Sequence, residues 1–313
     1  MSRLPDEEGW LEGCPARLRG PILRCARGET PPNVALMRLL AEAADPKEAE
    51  AALARALDSS RSSESANAGA ETRLGQALAF ARANPQAFTV VKAVLGGVDH
   101  RNAPNPDEDV AHWAAVFDRA AQASPEGSVA LYALGNPDLL RAATGEVVNA
   151  LSAWGLLGPE RAVLEIGCGI GRLLAALAPA VDLAVGIDIS RAMIVAAERR
   201  CAGLSNVHVL QSSGRDLSAF RDASFDLVLA ADSFPYLVQS AGDLAERHVR
   251  DAARALKSAG HLVILNFSYR GDPEADRADV ARLAADTGFS VLRNGARPFR
   301  LWDGLAFHLA KRR

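Results

Sequence analysis

The sequence has few cysteines and no surplus of positive charge, and these absences exclude several classes of protein. Its 313 residues include only four cysteines, Cys14, Cys25, Cys168 and Cys201, and none forms a Cys-x-x-Cys pair. They are too few to cross-link a chain of this length, so free thiols are expected. Lys and Arg number 35 against 38 Asp and Glu, which leaves no electrostatic footprint for a nucleic-acid backbone or an anionic membrane.

Long hydrophobic runs are also missing. No segment reaches the length of a transmembrane helix, and the amino terminus, MSRLPDEEGW, has acidic residues where a signal peptide needs basic ones before an apolar run. We therefore expect a cytoplasmic protein with no membrane partner. Hydrophobic residues still make up 49% of the chain, which is enough to bury a core, and the length favours one full domain with a smaller partner.

Helical patterns dominate residues 1–130. Apolar residues recur at helical intervals over residues 34–57, 72–84 and 108–123. Residues 58–71, DSSRSSESANAGAE, have too few large apolar side chains to pack. This composition predicts a flexible surface linker between helical segments.

After Pro159 the pattern changes to short apolar runs that alternate with helical segments. The strand-like runs are residues 161–166, 182–187, 207–211, 225–230 and 261–267. This alternation predicts a parallel sheet flanked by helices. Two final strand candidates, residues 289–294 and 304–312, have a short turn region between them, which is compatible with an antiparallel hairpin.

A glycine-rich turn follows the first of these strands. In VLEIGCGIG, residues 163–171, glycines let the backbone approach a bound ligand. Asp188 ends the next strand, 21 positions after Gly167, a spacing at which an acidic residue can accept hydrogen bonds from ribose hydroxyls. A dinucleotide fingerprint would need its third glycine at position 172, which is Arg172. This departure, with the lack of a Tyr-x-x-x-Lys or similar pair, disfavours a nicotinamide-dependent oxidoreductase.

The E-x-G-x-G-x-G pattern at residues 165–171, with VGIDIS, SFDLVLAADSFPYL and ALKSAGHLVILNF further along, resembles the class I S-adenosylmethionine-dependent methyltransferase family of the type 11 or 12 arrangement. The resemblance covers about residues 130–313. It implies an α/β fold with a Rossmann-like sheet, mostly parallel with an antiparallel last strand, and S-adenosylmethionine as cofactor with S-adenosylhomocysteine as product. We expect residues 131–313 to bind the cofactor and residues 1–130 to form a mainly helical cap or substrate-recognition region.

The resemblance also implies a set of cofactor-binding positions. Those before Asp188 would surround the methionine part and the sugar, Asp188 would hold the ribose hydroxyls, and the later ones would meet the adenine or lie beside the methyl donor. The family often has Asp or Asn where this chain has Ser213. The full set is Glu165, Gly167, Cys168, Gly169, Gly171, Asp188, Ile189, Met193, Ser213, Gly214, Arg215 and Ala231.

Catalytic and acceptor residues are expected at the carboxyl ends of the strands, where open α/β sheets bind ligands. Asp232 or Tyr236 could accept or relay the proton that an acceptor loses; alternatively, Asp232 anchors the cofactor's amino group or a neighbouring loop. Tyr132 could close over the cofactor, although an aromatic residue at helical spacing usually packs in a core. The substrate-pocket candidates are Tyr132, Ser233, Phe234, Asn266, Ser268 and Tyr269.

The function expected from these residues is in-line methyl transfer to a small-molecule acceptor, a metabolite or a natural-product intermediate. The alternative is a non-catalytic S-adenosylmethionine-binding or protein-interaction module. Oxygen, nitrogen, carbon and sulfur acceptors all stay open, because specificity lies in loops rather than in the shared fold. His248 and His261 are far along the chain from any second ligand and His208 and His308 lie in strand-like text, so no metal site is expected.

Overall fold

The computed structural model describes residues 11, 13–62, 68–97 and 105–312. Eight helices precede the first strand within these residues: α1 (Ala16–Arg27), α2 (Pro32–Glu42), α3 (Pro46–Ser62), α4 (Ala68–Ala83), α5 (Ala87–Gly96), α6 (Pro106–Ala123), α7 (Pro125–Val129) and α8 (Pro137–Ala153). The helices predicted over 72–84 and 108–123 are confirmed as α4 and α6. No described helix is both long and apolar enough to cross a membrane.

Strands and helices then alternate to the end of the described chain. The strands are β1 (Gly158–Ile166), β2 (Val181–Asp188), β3 (Val207–Gln211), β4 (Phe225–Ala231), β5 (Leu256–Leu265), β6 (Phe289–Ala296) and β7 (Ala306–Lys311). The helices between them are α9 (Arg172–Leu177), α10 (Arg191–Arg200), α11 (Phe234–Gln239), α12 (Leu244–Ala255) and α13 (Pro273–Thr287).

The chain divides into a helical unit and an α/β unit. The helical unit comprises Met1–Gly97, Glu126–Ala143 and Arg300–Asp303, and the α/β unit comprises the rest of the chain. This division differs from the predicted boundary at residue 130, because α6 belongs to the α/β unit and the short segment at 300–303 belongs to the helical one.

The predicted linker at residues 58–71 also differs from the structure. Residues 58–62 continue α3 and residues 68–71 begin α4, so both ends of the segment are helical, and residues 63–67 lie outside the described residues. The helical ends are joined by an ion pair in which Arg61 Nε lies 2.9 Å from Glu71 Oε1. The segment has few large apolar side chains, but alanine, arginine and glutamate are good helix formers.

A buried polar contact fixes the helical unit internally. The side chain of Asn33, at the start of α2, is fully buried, and its Nδ2 donates to the carbonyl oxygens of Tyr132 at 2.9 Å and Leu301 at 2.7 Å. Because a buried amide must find partners, this contact ties two distant chain segments to α2. The unit's core is aliphatic, with Leu18, Leu36 and Leu53 fully buried.

The sheet of the α/β unit has the strand order β3-β2-β1-β4-β5-β7-β6. All pairs from β3 to β5 are parallel, whereas β7 is antiparallel to both β5 and β6. The predicted Rossmann-like sheet and its final hairpin are therefore confirmed. Central strands such as β4 are buried on both faces, which explains why their sequences are continuous apolar runs.

The carboxyl ends of the parallel strands meet at one edge. Ile166, the last residue of β1, pairs with Ile187 of β2 and with Ala230 of β4, and Ala231 pairs with Leu265 of β5. The segments that follow these strands are therefore neighbours in space, as expected for the ligand-binding edge of an open sheet.

A chain of hydrogen bonds joins β6, β7 and β5 in the same unit. Arg293 Nη1 lies 2.8 Å from His308 Nδ1, and His308 Nε2 lies 3.0 Å from His261 Nδ1. Since a guanidinium can only donate, His308 Nδ1 accepts and its Nε2–H donates, so both imidazoles are neutral. His261 thus meets a second histidine, contrary to the sequence expectation, because strand pairing brings the two positions together. The described residues contain no group of three or more potential metal ligands.

We predict that acid destabilises the fold through His308. Burial, together with His261 and the Arg293 guanidinium, lowers the pKa of His308 to about 4. The unfolded chain then binds more protons than the folded one below the ordinary histidine pKa of about 6.5. The contribution of His308 to the unfolding free energy should therefore fall as the pH falls from about 6.5 to 4, by at most about 1.4 kcal/mol per pH unit.

Urea unfolding at several pH values measures this slope. In His308→Gln the slope should lack the His308 contribution, because glutamine cannot take up a proton. The matched change His208→Gln, at an exposed position of β3, should leave it intact. An equal slope in the wild type and His308→Gln would contradict the prediction.

Candidate functional site

The site begins at a left-handed turn after β1. Gly167 has φ +70° and Gly171 has φ +72°, in the region that favours glycine. The N–H groups of Gly167 and Cys168 both donate to the Ile187 carbonyl oxygen, at 2.8 and 3.0 Å. A Cβ at Gly167 would lie 2.3 Å from Ser233 Cβ, so this close approach requires glycine.

Asp188, at the end of β2, faces this turn. Its Oδ2 accepts from the Gly169 N–H and its Oδ1 from the Ser190 N–H, each at 2.9 Å. Burial raises the pKa of Asp188 to about 6, and the hydrogen bonds from Ser190 and Gly169 oppose that shift. Each carboxylate oxygen keeps further lone pairs with which to accept ligand hydroxyls.

Glu165, in β1, lies beside Asp188. Its side chain is 2% exposed, and its Oε2 has no hydrogen-bond partner among the described residues. Burial raises the pKa of Glu165 to about 8; Arg172 opposes the shift and the Asp188 carboxylate adds to it. The Arg172 guanidinium also donates from Nη1 to Thr144 Oγ1 at 3.1 Å.

Cys168 and Met193 are buried within the same region. Cys168 is 2% exposed, and burial holds the pKa of its thiol well above the ordinary value, so it is a small packing residue and no nucleophile. Met193 is also 2% exposed, and its N–H donates to Ser190 Oγ at 3.1 Å, which caps α10. Ala231 ends β4 and is half-buried.

The turn after β3 is held by its own serines. Ser212 Oγ accepts from the Gly214 N–H at 3.0 Å, and Ser213 Oγ accepts from the Arg215 N–H at 3.3 Å. A Cβ at Gly214 would lie 2.7 Å from Ile189 Cγ2, so the predicted adenine-binding positions after β2 and β3 are in close contact.

Helix α6 is the part of the site that the sequence did not indicate. Asp118 Oδ1 accepts from Ser190 Oγ at 2.5 Å and from the Ala192 N–H at 2.9 Å, directly after β2. A Cβ at Gly214, after β3, would lie 2.9 Å from Val110 Cγ1. One helix therefore contacts the segments that follow β2 and β3. Its amphipathic pattern predicted the helix but carried no signal for what it packs against.

A second acidic group lies where β4 and β5 end. Asp232 has φ +60° and Asn266 has φ +69°, a conformation that Asp and Asn tolerate better than other side chains. Asp232 Oδ1 accepts from Asn266 Nδ2 at 2.7 Å and from the Tyr269 hydroxyl at 3.0 Å. The Asp232 N–H donates to the Leu265 carbonyl oxygen at 2.9 Å. The predicted residues Asp232, Asn266 and Tyr269 are thus brought together.

Aromatic rings surround Tyr236 next to this carboxylate. Its ring centroid lies 4.8 Å from that of Trp113 and 4.9 Å from that of Phe117, both on α6, and 5.6 Å from that of Tyr269. Burial raises the pKa of Tyr236, and the Asp232 carboxylate raises it further. Tyr236 is consequently a neutral phenol, and its role in accepting or relaying a proton stays a prediction.

Other predicted pocket residues have structural partners instead. Phe234 is 1% exposed and its ring packs 5.3 Å from Phe267 in the core, so the prediction that it lines a pocket is wrong. Ser233 Oγ donates to the Ile166 carbonyl oxygen at 2.5 Å, and Ser268 Oγ to Asp276 Oδ1 at 2.7 Å. Tyr132 lies in the helical unit.

The ring of Tyr132 stacks on Trp302 with 5.6 Å between centroids, and its side chain is 5% exposed. Both residues belong to the helical unit. This packing agrees with the alternative that an aromatic residue at helical spacing lies in a core.

We predict that Gly167→Ala destabilises the α/β unit by roughly 2–4 kcal/mol, because the left-handed conformation costs about 1–2 kcal/mol and the clash with Ser233 adds an overpacking cost. Urea denaturation measures the change. Gly203→Ala is the matched control: Gly203 also has positive φ, +86°, but no atom lies within 4 Å of its added Cβ. Equal losses in the two variants would refute the clash.

Comparison with known proteins shows which proteins this chain resembles. Residues 164–264 match a family model described as a methyltransferase domain. A demethylmenaquinone methyltransferase of Clavibacter sepedonicus is 32% identical over 154 residues, which cover 49% of this chain and 57% of that protein. An uncharacterised methyltransferase of Bacillus subtilis is 30% identical over 119 residues, 37% of this chain and 45% of that protein. The chain thus spans about half the length of the curated relatives it matches.

A solved structure agrees at the level of the fold. Phosphoethanolamine N-methyltransferase 1 of Haemonchus contortus, in complex with phosphoethanolamine and S-adenosylhomocysteine, superposes with a TM-score of 0.53 at 16% identity, covering 66% of this chain and 50% of that one. The segment that matches the family model, residues 164–264, runs from β1 to β5 and includes the glycine turn, Asp188 and Asp232. Residues 164–264 of the α/β unit are therefore similar to a methyltransferase domain.

Proposed function

We propose that this protein binds S-adenosylmethionine at the turn after β1 and transfers its methyl group to a small-molecule acceptor, releasing S-adenosylhomocysteine. The observation that carries the proposal is the pairing of a left-handed glycine turn with two carboxyls, the buried Glu165 and the half-buried Asp188, at the carboxyl ends of adjacent strands. The similarity of residues 164–264 to a methyltransferase domain supports it.

The residues present fit this cofactor. Asp188 offers carboxylate oxygens to ribose hydroxyls, and Glu165 offers a buried oxygen, Oε2, that lacks a partner among the described residues. The turn itself leaves no room for a Cβ at Gly167. Ile189 and the Gly214 turn, in contact with each other, would hold the adenine.

The acceptor would lie between Asp232 and the aromatic rings beside it. When bound, the cofactor supplies an activated methyl group on a sulfonium, so this chain has mainly to align the acceptor and exclude water. Trp113 and Phe117, on α6, would wall the site together with Tyr236 and Tyr269. Such walls favour a flat or apolar acceptor.

A proton leaves the acceptor if the reacting atom is an oxygen or a protonated amine. Asp232 is the group we assign to receive it, at a carboxylate oxygen. Tyr236, as a neutral phenol, would donate a hydrogen bond to the acceptor or to Tyr269. Asn266 holds Asp232 Oδ1 through its amide N–H and so orients the carboxylate.

The acceptor class rests on charge and on one relative. The net charge of −3 gives no basic surplus for a nucleic acid, and a matched relative is described as acting on demethylmenaquinone, a small molecule. A metabolite or natural-product intermediate is therefore favoured.

Substrate recognition by the helical unit and a cytoplasmic location remain predictions. The alternative is a module that binds the cofactor without catalysis.

We predict methyl transfer from labelled S-adenosylmethionine to at least one component of pooled small metabolites, detected by mass spectrometry. Asp188→Asn should weaken cofactor affinity roughly 10- to 100-fold, because it removes a charged acceptor of ribose hydroxyls. Cofactor binding without transfer to any pool would favour the non-catalytic alternative. An absence of binding would contradict the proposal outright.

We predict separate effects for charge and hydrogen bonding at Asp232. Asp232→Asn keeps an oxygen that accepts from Asn266 and Tyr269 but cannot take a proton, so kcat should fall roughly 100- to 10,000-fold with cofactor Kd unchanged. Steady-state kinetics across pH measures this. Asp222→Asn, at an exposed carboxylate paired with Arg254, is the matched control and should leave kcat unchanged. Unaltered turnover and pH profile in Asp232→Asn would rule out the proton-accepting role.

A further inference from the structure

Helix α6 lies against the two segments that would hold the adenosine part of the cofactor. Asp118, in its second half, accepts from Ser190 Oγ at 2.5 Å and from the Ala192 N–H at 2.9 Å, directly after β2. Nearer its start, Val110 lies so close to the turn after β3 that a Cβ at Gly214 would be 2.9 Å from Val110 Cγ1. Helix α6 therefore docks on both segments, and Asp118 makes its polar contact with the first.

Ser190 connects Asp118 to the carboxylate of Asp188. Ser190 is fully buried, and its N–H donates to Asp188 Oδ1 at 2.9 Å while its hydroxyl donates to Asp118 Oδ1. The same hydroxyl oxygen accepts from the Met193 N–H at 3.1 Å. A hydroxyl has one proton, so it makes both bonds only when that proton points at Asp118. Asp118 thus fixes Ser190 and, through it, the segment whose N–H holds Asp188.

The charge of Asp118 also acts on Asp188. Burial raises the pKa of Asp188 to about 6, backbone N–H groups lower it, and the Asp118 carboxylate raises it. Glu165 on β1 and Cys168 in the glycine turn also face Asp188, and burial raises the pKa of both, so at neutral pH they are mostly uncharged. Asp118 is consequently the charge through which α6 acts on Asp188.

The two effects of Asp118 on ribose binding are opposite in sign. Its hydrogen bonds hold the segment after β2 in the conformation that presents Asp188, which favours binding. Its negative charge makes Asp188 harder to ionise, and an ionised carboxylate is the better acceptor for two hydroxyls. An acid that only capped the amino terminus of α10 would stabilise the helix and have neither effect on the cofactor.

We propose that Asp118 is a positioning residue for the cofactor's ribose, which acts by holding Ser190 and the carboxylate of Asp188 in place from α6. The inference rests on the proposed function, since it takes S-adenosylhomocysteine as a ligand and Asp188 as the ribose acceptor. Its consequence is that the charge of Asp118 sets the lower limit of the pH range in which the cofactor binds.

Calorimetry of S-adenosylhomocysteine binding between pH 5 and 8 tests this inference. Because ionised Asp188 binds the ribose and its pKa is about 6, wild-type affinity should be full well above pH 6 and fall below it. Asp118→Asn keeps an oxygen that accepts from Ser190 and Ala192 but loses the charge. Its affinity at pH 8 should stay within about twofold of wild type, and the fall should begin roughly 0.5 to 1 pH unit lower. Glu165 is common to both proteins, so their difference reports Asp188.

Two further variants separate hydrogen bonding from charge. Asp118→Ala removes the acceptor as well as the charge and should bind roughly 3- to 10-fold more weakly at pH 8. Glu108→Gln, at an exposed position of the same helix, removes one negative charge from α6 without touching Ser190. It should leave both the affinity and the pH profile unchanged. Urea unfolding of the ligand-free variants shows that each is folded.

The outcomes separate this inference from the proposed function. An Asp118→Asn profile that coincides with the wild-type profile would overturn the inference, as would an equal shift in Glu108→Gln. Lower stability of Asp118→Ala with unchanged cofactor affinity would assign Asp118 to capping α10 alone and would equally overturn it. If the wild type does not bind S-adenosylhomocysteine at any pH in this range, the proposed function itself fails.

Discussion

The geometry of the site depends on one shared acceptor, the Ile187 carbonyl oxygen, to which the N–H groups of Gly167 and Cys168 both donate. This pair of bonds bends the chain at the end of β1 toward β2 and forces Gly167 into the left-handed region. The space beside Gly167 is taken by Ser233, whose hydroxyl is bonded to the Ile166 carbonyl oxygen. These contacts hold the ends of β1, β2 and β4 together, and a side chain at Gly167 would separate them.

This arrangement places two acids in one buried region, at an electrostatic cost. Glu165 and Asp188 each have a raised pKa, because burial disfavours both charges. Backbone N–H groups offset the cost for Asp188, and Arg172 opposes the pKa shift of Glu165. Such destabilised groups are typical of functional sites, where a partner completes the electrostatics.

Much of the α/β fold and the turn of the candidate site could be predicted from the sequence, because both are encoded locally. The glycine turn and Asp188 follow apolar strands at fixed spacing, and the strand candidates were confirmed together with the final hairpin. Contacts between distant segments could not be read in this way. The packing of Trp113 on Tyr236 depends on where α6 docks, which no local pattern specifies.

At Phe234 the sequence interpretation differs from the structure because the side chain is buried in the core. Its position at a strand end suggested a pocket, yet its ring faces the core against Phe267. Position along a strand fixes the edge of the sheet, whereas the rotation of the following helix α11 decides which side chains point inward. Similarly, the composition of residues 58–71 did not reveal the helix ends at 58–62 and 68–71, where Arg61 pairs with Glu71.

A crystal structure of the protein with S-adenosylhomocysteine tests the central claim most directly. We predict that the ribose hydroxyls bind Asp188 and that the sulfur faces Asp232. Ligand density elsewhere on the chain, or a ribose bound away from Asp188 in the turn after β1, would contradict it.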